Sequence, residues 1–154
     1  MKVLLVQHGE AKSKDEDPAR PLSEEGFRKT EKVAAWIGSH SFSVAEIKHS
    51  GRKRAEETAM IFARHLSPVK GVFAVEGLNP NDDVLSFAES MSEQEESVMI
   101  VGHLPFLNKL AGLLLAGDPE RNVISFINSG VVCLKKDKYQ WSIAWIIVPE
   151  LLSE

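Results

Sequence analysis

Two short apolar runs, each followed by glycine and histidine, constrain the fold most. The first covers residues 2–6 and leads into Gln7-His8-Gly9, and the second covers residues 97–101 and leads into Gly102-His103. Runs of this length and composition predict strands that are buried on both faces, as in a parallel sheet covered by helices. Ligands of such sheets bind beyond the carboxyl ends of the strands. If the two strands are parallel neighbours, the histidines therefore face each other across a crevice.

Helical and strand patterns alternate along the rest of the chain. Predicted helices cover residues 23–38, with Ser23 as N-cap, residues 52–66, with Ser50 as the cap, and residues 82–91 and 105–115. Predicted further strands cover residues 45–49, 71–75, 131–134 and 141–148. This order predicts one domain of the α/β class over residues 1–154: a three-layer α/β/α sandwich whose sheet is largely parallel and ends in an antiparallel hairpin.

Composition excludes several classes of function. The net charge of -4 disfavours a general affinity for nucleic acid, whose backbone attracts basic surfaces. No apolar stretch approaches the roughly 20 residues that cross a bilayer, and no signal-peptide pattern opens the chain, so we expect a soluble, cytoplasmic protein without a membrane contact. Cys133 is the only cysteine. It allows neither an internal disulfide nor a cysteine-based metal site, and its apolar neighbours predict a core position.

The placement of the histidines separates them into two groups. His8 or His103 alone fits a turn residue as well as a functional one, but the repeated arrangement favours a shared site. His40, His49 and His65 lack that arrangement and are predicted to be structural or solvated. The charged stretches at residues 12–17 and 93–96 are predicted to be solvated loops.

Arginines at the start of the second predicted helix lie where the helix dipole disfavours positive charge. Glu56 and Glu57 are close enough in sequence to neutralise them. The alternative is a bound phosphoryl group, held by the helix amino end and by the planar guanidinium of Arg54. Arg20 is a second candidate because the proline that follows it fixes where its side chain begins.

Four ordered segments carry a family resemblance. They are Gln7-His8-Gly9-Glu10, Arg20-Pro21-Leu22-Ser23 with Gly26, Ser50 with Arg54-Ala55 and Thr58, and Gly102-His103-Leu104-Pro105. Together they resemble the phosphoglycerate mutase-like histidine phosphatase superfamily, and within it the SixA-type phosphohistidine phosphatases. The resemblance spans almost the whole chain and implies the phosphoglycerate mutase-like fold.

The resemblance implies roles for individual residues. His8 would be the nucleophile that accepts the phosphoryl group, Arg54 and Arg20 would hold its oxygens, and His103 would complete the charged pocket. The substrate-binding pocket would also include Gln7, Gly9, Ser50 and Gly102. Cations around the equatorial oxygens stabilise such a transition state without a metal, so we expect neither a metal ion nor another cofactor.

Gln7 departs from the family pattern, which has arginine before the nucleophile. A glutamine amide donates to a phosphoryl oxygen but brings no charge and no forked guanidinium, a loss of about 1 to 3 kcal/mol. We expect turnover to be lower by a factor of roughly 10² to 10³ than it would be with arginine at this position. The departure also motivates a different reading, a catalytically silent module that only binds phosphate.

A second departure from the larger superfamily members, which the SixA type shares, concerns the substrate. Those members carry a carboxylic general acid after the third strand, whereas Asp82 and Asp83 here are predicted to cap the next helix. Without such an acid, phosphohistidine is the substrate that fits best, because imidazole, with a conjugate-acid pKa of about 6.5, leaves easily. The expected partner is a phosphohistidine-bearing protein, such as a histidine phosphotransfer domain.

Two further alternatives stay open. A small-molecule phosphomonoesterase would need His103 or Asp82 as its acid. A mononuclear metal site on the two histidines lacks a third ligand at a recognisable spacing.

Overall fold

A computed structural model describes residues 1–154, in which strands and helices alternate from the first residues to the hairpin at the end. The elements are β1 (Lys2–Gln7), α1 (Glu24–Ser39), β2 (Glu46–His49), α2 (Lys53–Leu66), β3 (Gly71–Ala74), α3 (Val84–Met91), β4 (Val98–Gly102), α4 (Phe106–Ala116), β5 (Val131–Asp137), β6 (Gln140–Ile147) and a short 3-10 helix (Pro149–Leu151).

All six strands form one sheet in the order β3-β2-β4-β1-β5-β6. The pairs β3–β2, β2–β4 and β4–β1 are parallel, whereas β1–β5 and β5–β6 are antiparallel. Within the β1–β4 pair, Gln7 lies opposite Gly102. The chain segments that carry His8 and His103 therefore leave the sheet at the same edge, as predicted.

Helices cover both faces of the sheet. Leu4 and Val6 of β1 point into a core shared with α1 and α2, while Val3 and Leu5 point into a second core shared with α3 and α4. This alternation follows from the two-residue period of a strand. It confirms the predicted three-layer α/β/α sandwich, with a largely parallel sheet and a C-terminal antiparallel hairpin.

The helix caps confirm two predicted residues and correct two. The Ser23 side chain accepts a hydrogen bond from the Gly26 amide at the start of α1, and Asp83 accepts one from the Leu85 amide at the start of α3. Asp82 does not cap α3, because its carboxylate accepts from the Asn79 amide instead. The prediction that Ser50 caps α2 is wrong, because the N-cap residue is Arg52 and its side chain makes no capping bond. Gly51, with φ of 90°, turns the chain between them.

Three histidines have local structural partners, in line with their prediction. His40 stacks on the indole of Trp36 with ring centroids 3.8 Å apart. The Nε2 atom of His65 lies 2.6 Å from Glu31 Oε1. His49 is buried, and its Nδ1 accepts a hydrogen bond from the Gly51 amide at 3.0 Å. This last bond fixes the turn between β2 and α2.

Cys133 is fully buried in β5, which confirms its predicted core position. Burial raises the pKa of its thiol to about 11. None of the helices is both long and apolar enough to cross a membrane. No three side chains of the His, Cys, Asp or Glu type are grouped so that they could hold a metal ion.

Candidate active site

His8 follows β1 directly, and its ring orientation is set by one hydrogen bond. The Nδ1 atom lies 2.7 Å from the carbonyl oxygen of Gly9. Because a carbonyl can only accept, Nδ1 carries the proton of the neutral ring. The other nitrogen, Nε2, then holds an unshared electron pair. The local chain path thus defines both the tautomer and the reactive atom.

The surroundings of His8 keep its ring neutral. Burial lowers its pKa to about 4, and the positive charges of Arg54 and Arg20 act in the same direction. The hydrogen bond to Gly9 opposes this shift but does not outweigh it. At neutral pH the imidazole is therefore unprotonated and nucleophilic, while cations stand next to it.

His103 lies beside His8, with ring centroids 5.0 Å apart. It is only 2% exposed, and its Nε2 shares a hydrogen bond of 2.6 Å with the hydroxyl of Ser50. Burial lowers its pKa to about 3, and the adjacent His8 ring, once protonated, and the charge of Arg54 act in the same direction. A bound dianion would act in the opposite direction and favour the protonated ring.

A side chain of α2 holds the turn after β1, and a side chain of α1 packs closely against it. The Gly9 amide donates to Thr58 Oγ1 at 2.9 Å, and the same hydroxyl donates to the carbonyl of Arg54 at 2.7 Å. A Cβ at Gly9 would lie 2.7 Å from Thr30 Oγ1, so that position requires glycine. Thr58 thus joins the histidine turn to the helix that carries Arg54.

The segment before β5 also supports His8, and sequence reasoning missed it. Asn128 Nδ2 donates to the carbonyl of His8 at 2.8 Å, and the Ser129 amide donates to the carbonyl of Gln7 at 3.0 Å. In the sequence, Asn128-Ser129-Gly130 looks like an ordinary turn before a strand. No feature of its composition points to a site.

Four basic side chains, one in the loop before α1 and three at the start of α2, have no acidic partner. No carboxylate oxygen lies within 4 Å of a side-chain nitrogen of Arg20, Arg52, Lys53 or Arg54. The neutralisation by Glu56 or Glu57 is therefore not observed. The carboxylate of Glu57 instead accepts a hydrogen bond from the Leu22 amide at 2.7 Å. Arg20 Nε donates to the carbonyl of Lys12 at 3.1 Å.

Buried polar atoms without a partner concentrate at this site. Gln7 Oε1, Arg54 Nε and His103 Nδ1 are all buried and make no hydrogen bond, and only two other such atoms occur in the protein, Asn108 Oδ1 and Trp145 Nε1. Such atoms are rare because each loses its hydration on burial. Their clustering indicates a pocket that is completed by a ligand.

The structure brings the predicted residues together at one edge of the sheet. Gln7, His8 and Gly9 follow β1, Gly102 and His103 end β4, and Ser50 and Arg54 flank the start of α2. The charge of Arg20 reaches His8, His103 and Arg54. Asp82 is a sequence-based candidate for the general acid, but its carboxylate is bonded within its own loop: its Oδ2 accepts a hydrogen bond from the Asn79 amide at 2.8 Å.

Comparisons with known proteins agree with this architecture. The chain is 25% identical over 123 residues to phosphohistidine phosphatase SixA of Escherichia coli (strain K12), which covers 77% of this chain and 76% of that protein. A structure of the protein histidine phosphatase SixA complexed with tungstate superimposes with a TM-score of 0.85 at 22% identity, over 98% of this chain and 99% of that one.

An enzyme with a differently described substrate shares the fold. The alpha-ribazole phosphatase from Shigella flexneri has a TM-score of 0.77 at 15% identity, over 93% of this chain and 94% of its own. The family model described as the histidine phosphatase superfamily (branch 1) matches residues 3–79, which contain His8, Arg20 and Arg54. Together with the fold and the paired histidines, this match shows that the chain belongs to the histidine phosphatase superfamily.

Proposed function

We propose that the protein is a phosphohistidine phosphatase that works through a phosphorylated His8. The observation that carries this proposal is the state of His8: a neutral imidazole with Nε2 unprotonated, beside arginines that have no carboxylate partner. A nucleophile and an anion pocket in direct proximity are what phosphoryl transfer requires.

In the first step, the electron pair on His8 Nε2 attacks phosphorus while the bond from phosphorus to the substrate nitrogen breaks. The departing ring of the substrate keeps the bonding pair and leaves as neutral imidazole, because its other nitrogen is protonated. Arg54, with its unpartnered buried Nε, donates to an equatorial oxygen, and Arg20 adds positive charge. The carbonyl of Gly9 stabilises the phosphorylated ring, because it already accepts the hydrogen of Nδ1.

In the second step, water attacks phosphorus on the opposite side from His8. The bond from phosphorus to Nε2 breaks, and inorganic phosphate leaves with both hydrogens of the water. The imidazole, which keeps its proton on Nδ1, is neutral again. His103, protonated while the dianion is bound, donates to a phosphoryl oxygen. Arg20, Arg54 and the two histidines supply the charge for both steps, so the mechanism we propose uses no metal ion.

The lack of a free carboxylate near the reacting nitrogen supports phosphohistidine as the substrate. Asp82 is bonded to the Asn79 amide, and Asp83 is bonded to the Leu85 amide and the Ser86 hydroxyl. An alcohol leaving group would need such an acid, whereas imidazole leaves with little assistance. The name of the Escherichia coli relative, phosphohistidine phosphatase, points to the same substrate.

Gln7 favours one second candidate, a module that binds phosphate without turning it over. Its side chain brings no positive charge to stabilise the transition state, although its amide can still donate to a bound phosphoryl oxygen. This candidate shares the pocket with the proposed enzyme and differs in the rate of hydrolysis alone.

The decisive experiment measures phosphate release from a phosphohistidine protein and from an aryl phosphate, with EDTA in every reaction. Wild type is compared with His8→Ala and with a matched histidine control, His40→Ala, which lies away from the site. We expect release from the phosphohistidine protein by wild type and His40→Ala only. Mass spectrometry after an acid-free quench should locate the phosphoryl group on His8.

Full turnover by His8→Ala would overturn the mechanism. Phosphate binding by wild type without hydrolysis above the His8→Ala background would establish the binding module. Faster hydrolysis of the aryl phosphate than of phosphohistidine would favour a small-molecule phosphomonoesterase. Activity that EDTA removes and a divalent ion restores would show a metal requirement.

A further inference from the structure

Arg52 is a cation that the proposed mechanism does not use. It is the N-cap residue of α2, where the positive end of the helix dipole disfavours an arginine, and no carboxylate lies within 4 Å of it. Lys53 and Arg54 follow directly, so three cations begin one helix. The exposed guanidinium of Arg52 is therefore free to bind an anion.

The side chain of Arg52 is held by the loop that precedes α3. Its Nε donates to Asn79 Oδ1 at 3.0 Å. Asn79 is fixed in turn by Asp82, whose Oδ2 accepts from the Asn79 amide at 2.8 Å and whose amide donates to the Asn79 carbonyl at 3.1 Å. The two terminal nitrogens of the exposed Arg52 guanidinium have no protein acceptor. They are available to a ligand in a defined place.

Backbone contacts place Arg52 on the His103 side of the site. Its amide donates to the Ser50 hydroxyl at 3.3 Å, and that hydroxyl shares a hydrogen bond of 2.6 Å with His103 Nε2. The exposed side chain of Arg52 is bonded to Asn79 and to neither histidine. Arg52 therefore lies at the rim of the site, where it faces the part of the substrate next to the phosphoryl group.

We propose that Arg52, positioned by Asn79, binds a side-chain carboxylate that neighbours the phosphohistidine of a protein substrate. The inference rests on the proposed function and adds a specificity determinant to it. A guanidinium that has given only Nε to the protein keeps donors for a carboxylate, and arginine matches that planar group better than lysine does. Substrates with an acidic residue beside the phosphohistidine are then preferred over neutral ones.

The test uses two phosphohistidine peptides that differ at one position, glutamate or glutamine next to the phosphohistidine. We expect wild type to show a kcat/KM about tenfold higher for the glutamate peptide, the size of effect that one charge-assisted hydrogen bond gives. Arg52→Gln should lower kcat/KM for the glutamate peptide about tenfold and thereby abolish this preference. Asn79→Asp should reduce the preference, because the new carboxylate pairs with Arg52.

Lys53→Gln is the matched control, since it removes a cation from the same turn and should keep the preference. Equal hydrolysis of both peptides by wild type would overturn the inference and leave the proposed function standing. An equal loss on both peptides in Arg52→Gln would also overturn it, because it would place Arg52 on the transferred phosphoryl group.

Binding provides a readout that does not depend on turnover. The same two peptides, made with a non-hydrolysable phosphonate analogue of phosphohistidine, should bind wild type with a Kd lower for the glutamate form and Arg52→Gln with equal values. Equal binding by wild type would overturn the inference even if neither phosphohistidine peptide were hydrolysed, a result that would separately overturn the proposed function.

Discussion

Ser50 and His103 are joined by a hydrogen bond of 2.6 Å between the serine hydroxyl and the Nε2 atom of the ring. It is the only hydrogen bond of the His103 side chain, because the buried Nδ1 atom of that ring has no partner. The bond crosses from the β2–α2 turn to the end of β4 and thereby fixes the ring that faces His8.

Removing the serine hydroxyl should therefore disturb His103 first. We expect Ser50→Ala to lower the free energy of unfolding by about 1 to 3 kcal/mol, because the buried ring is left without a partner. Phosphate release should fall as well, whereas Ser50→Thr should retain both. Urea unfolding and the release assay measure these effects, and Ser39→Ala, at an exposed serine bonded to the Trp36 carbonyl, serves as control. Wild-type values in Ser50→Ala would show that the bond has no role.

Acid should destabilise the protein through the two histidines. Their pKa values are lowered to about 4 for His8 and about 3 for His103, from 6.5 in the unfolded chain. Below pH 6.5 the unfolded chain binds more protons than the folded protein, so the free energy of unfolding falls as the pH decreases toward 4. Urea unfolding at pH 7 and pH 5 should show a larger loss for wild type than for His8→Asn. Equal losses would contradict the low pKa of His8.

Asn128 should matter for turnover more than for substrate binding. Its amide donates to the carbonyl of His8 and so positions the nucleophile without touching the substrate. We expect Asn128→Ala to lower kcat by about 3- to 10-fold, the range for one lost hydrogen bond, with KM nearly unchanged. Steady-state kinetics separate the two constants, and Asn122→Ala is the control. A rise in KM at constant kcat would assign Asn128 to substrate binding instead.

Arg54 should dominate the affinity for oxyanions. Its buried Nε has no partner in the protein, and a tetrahedral oxyanion would supply one. We expect Arg54→Ala to weaken vanadate binding by about 1.5 to 3 kcal/mol, the range for hydrogen bonds to charged groups. Calorimetric titration gives the affinity, circular dichroism checks the fold, and Arg64→Ala on the same helix is the control. An unchanged affinity in a folded variant would exclude contact with the anion.

Gln7→Arg should raise the turnover of phosphohistidine. The substitution removes a buried carbonyl oxygen that has no partner and adds a forked cation beside His8. We expect a gain of about tenfold or more in kcat, the effect of one charge-stabilising contact. The measurement compares both proteins on one substrate. A fall in kcat with an intact fold would show instead that glutamine is an adaptation and that the larger side chain crowds the site.

The paired histidines could be predicted because parallel strands present their carboxyl ends at a common edge. Gln7 and Gly102 are opposite each other in β1 and β4, so the residues that follow must be neighbours. The position of Asn128 could not be predicted from this rule, which concerns the carboxyl ends of parallel strands. Asn128 precedes β5, which runs antiparallel to β1, and the amino end of an antiparallel strand lies at that same edge.

Ser50 shows a different limit of sequence reasoning. A serine shortly before a helical pattern is a sound candidate for a cap. The positive φ of Gly51 moves the helix start to Lys53, and the serine hydroxyl then reaches a ring 53 positions later in the chain. Neither the turn geometry nor the distant acceptor leaves a local pattern in the sequence.

The rate at which the buried thiol of Cys133 is modified measures how often the core around β5 opens. Cys133 lies in β5 opposite Leu4 of β1 on one side and Trp145 of β6 on the other. Its side chain lies in the core between the sheet and helices α1 and α2, so a thiol reagent can reach it only when this core opens. The neighbouring strand β1 positions His8. The rate of modification of the wild-type chain therefore reports how often the frame around the nucleophile comes apart, with no engineered label.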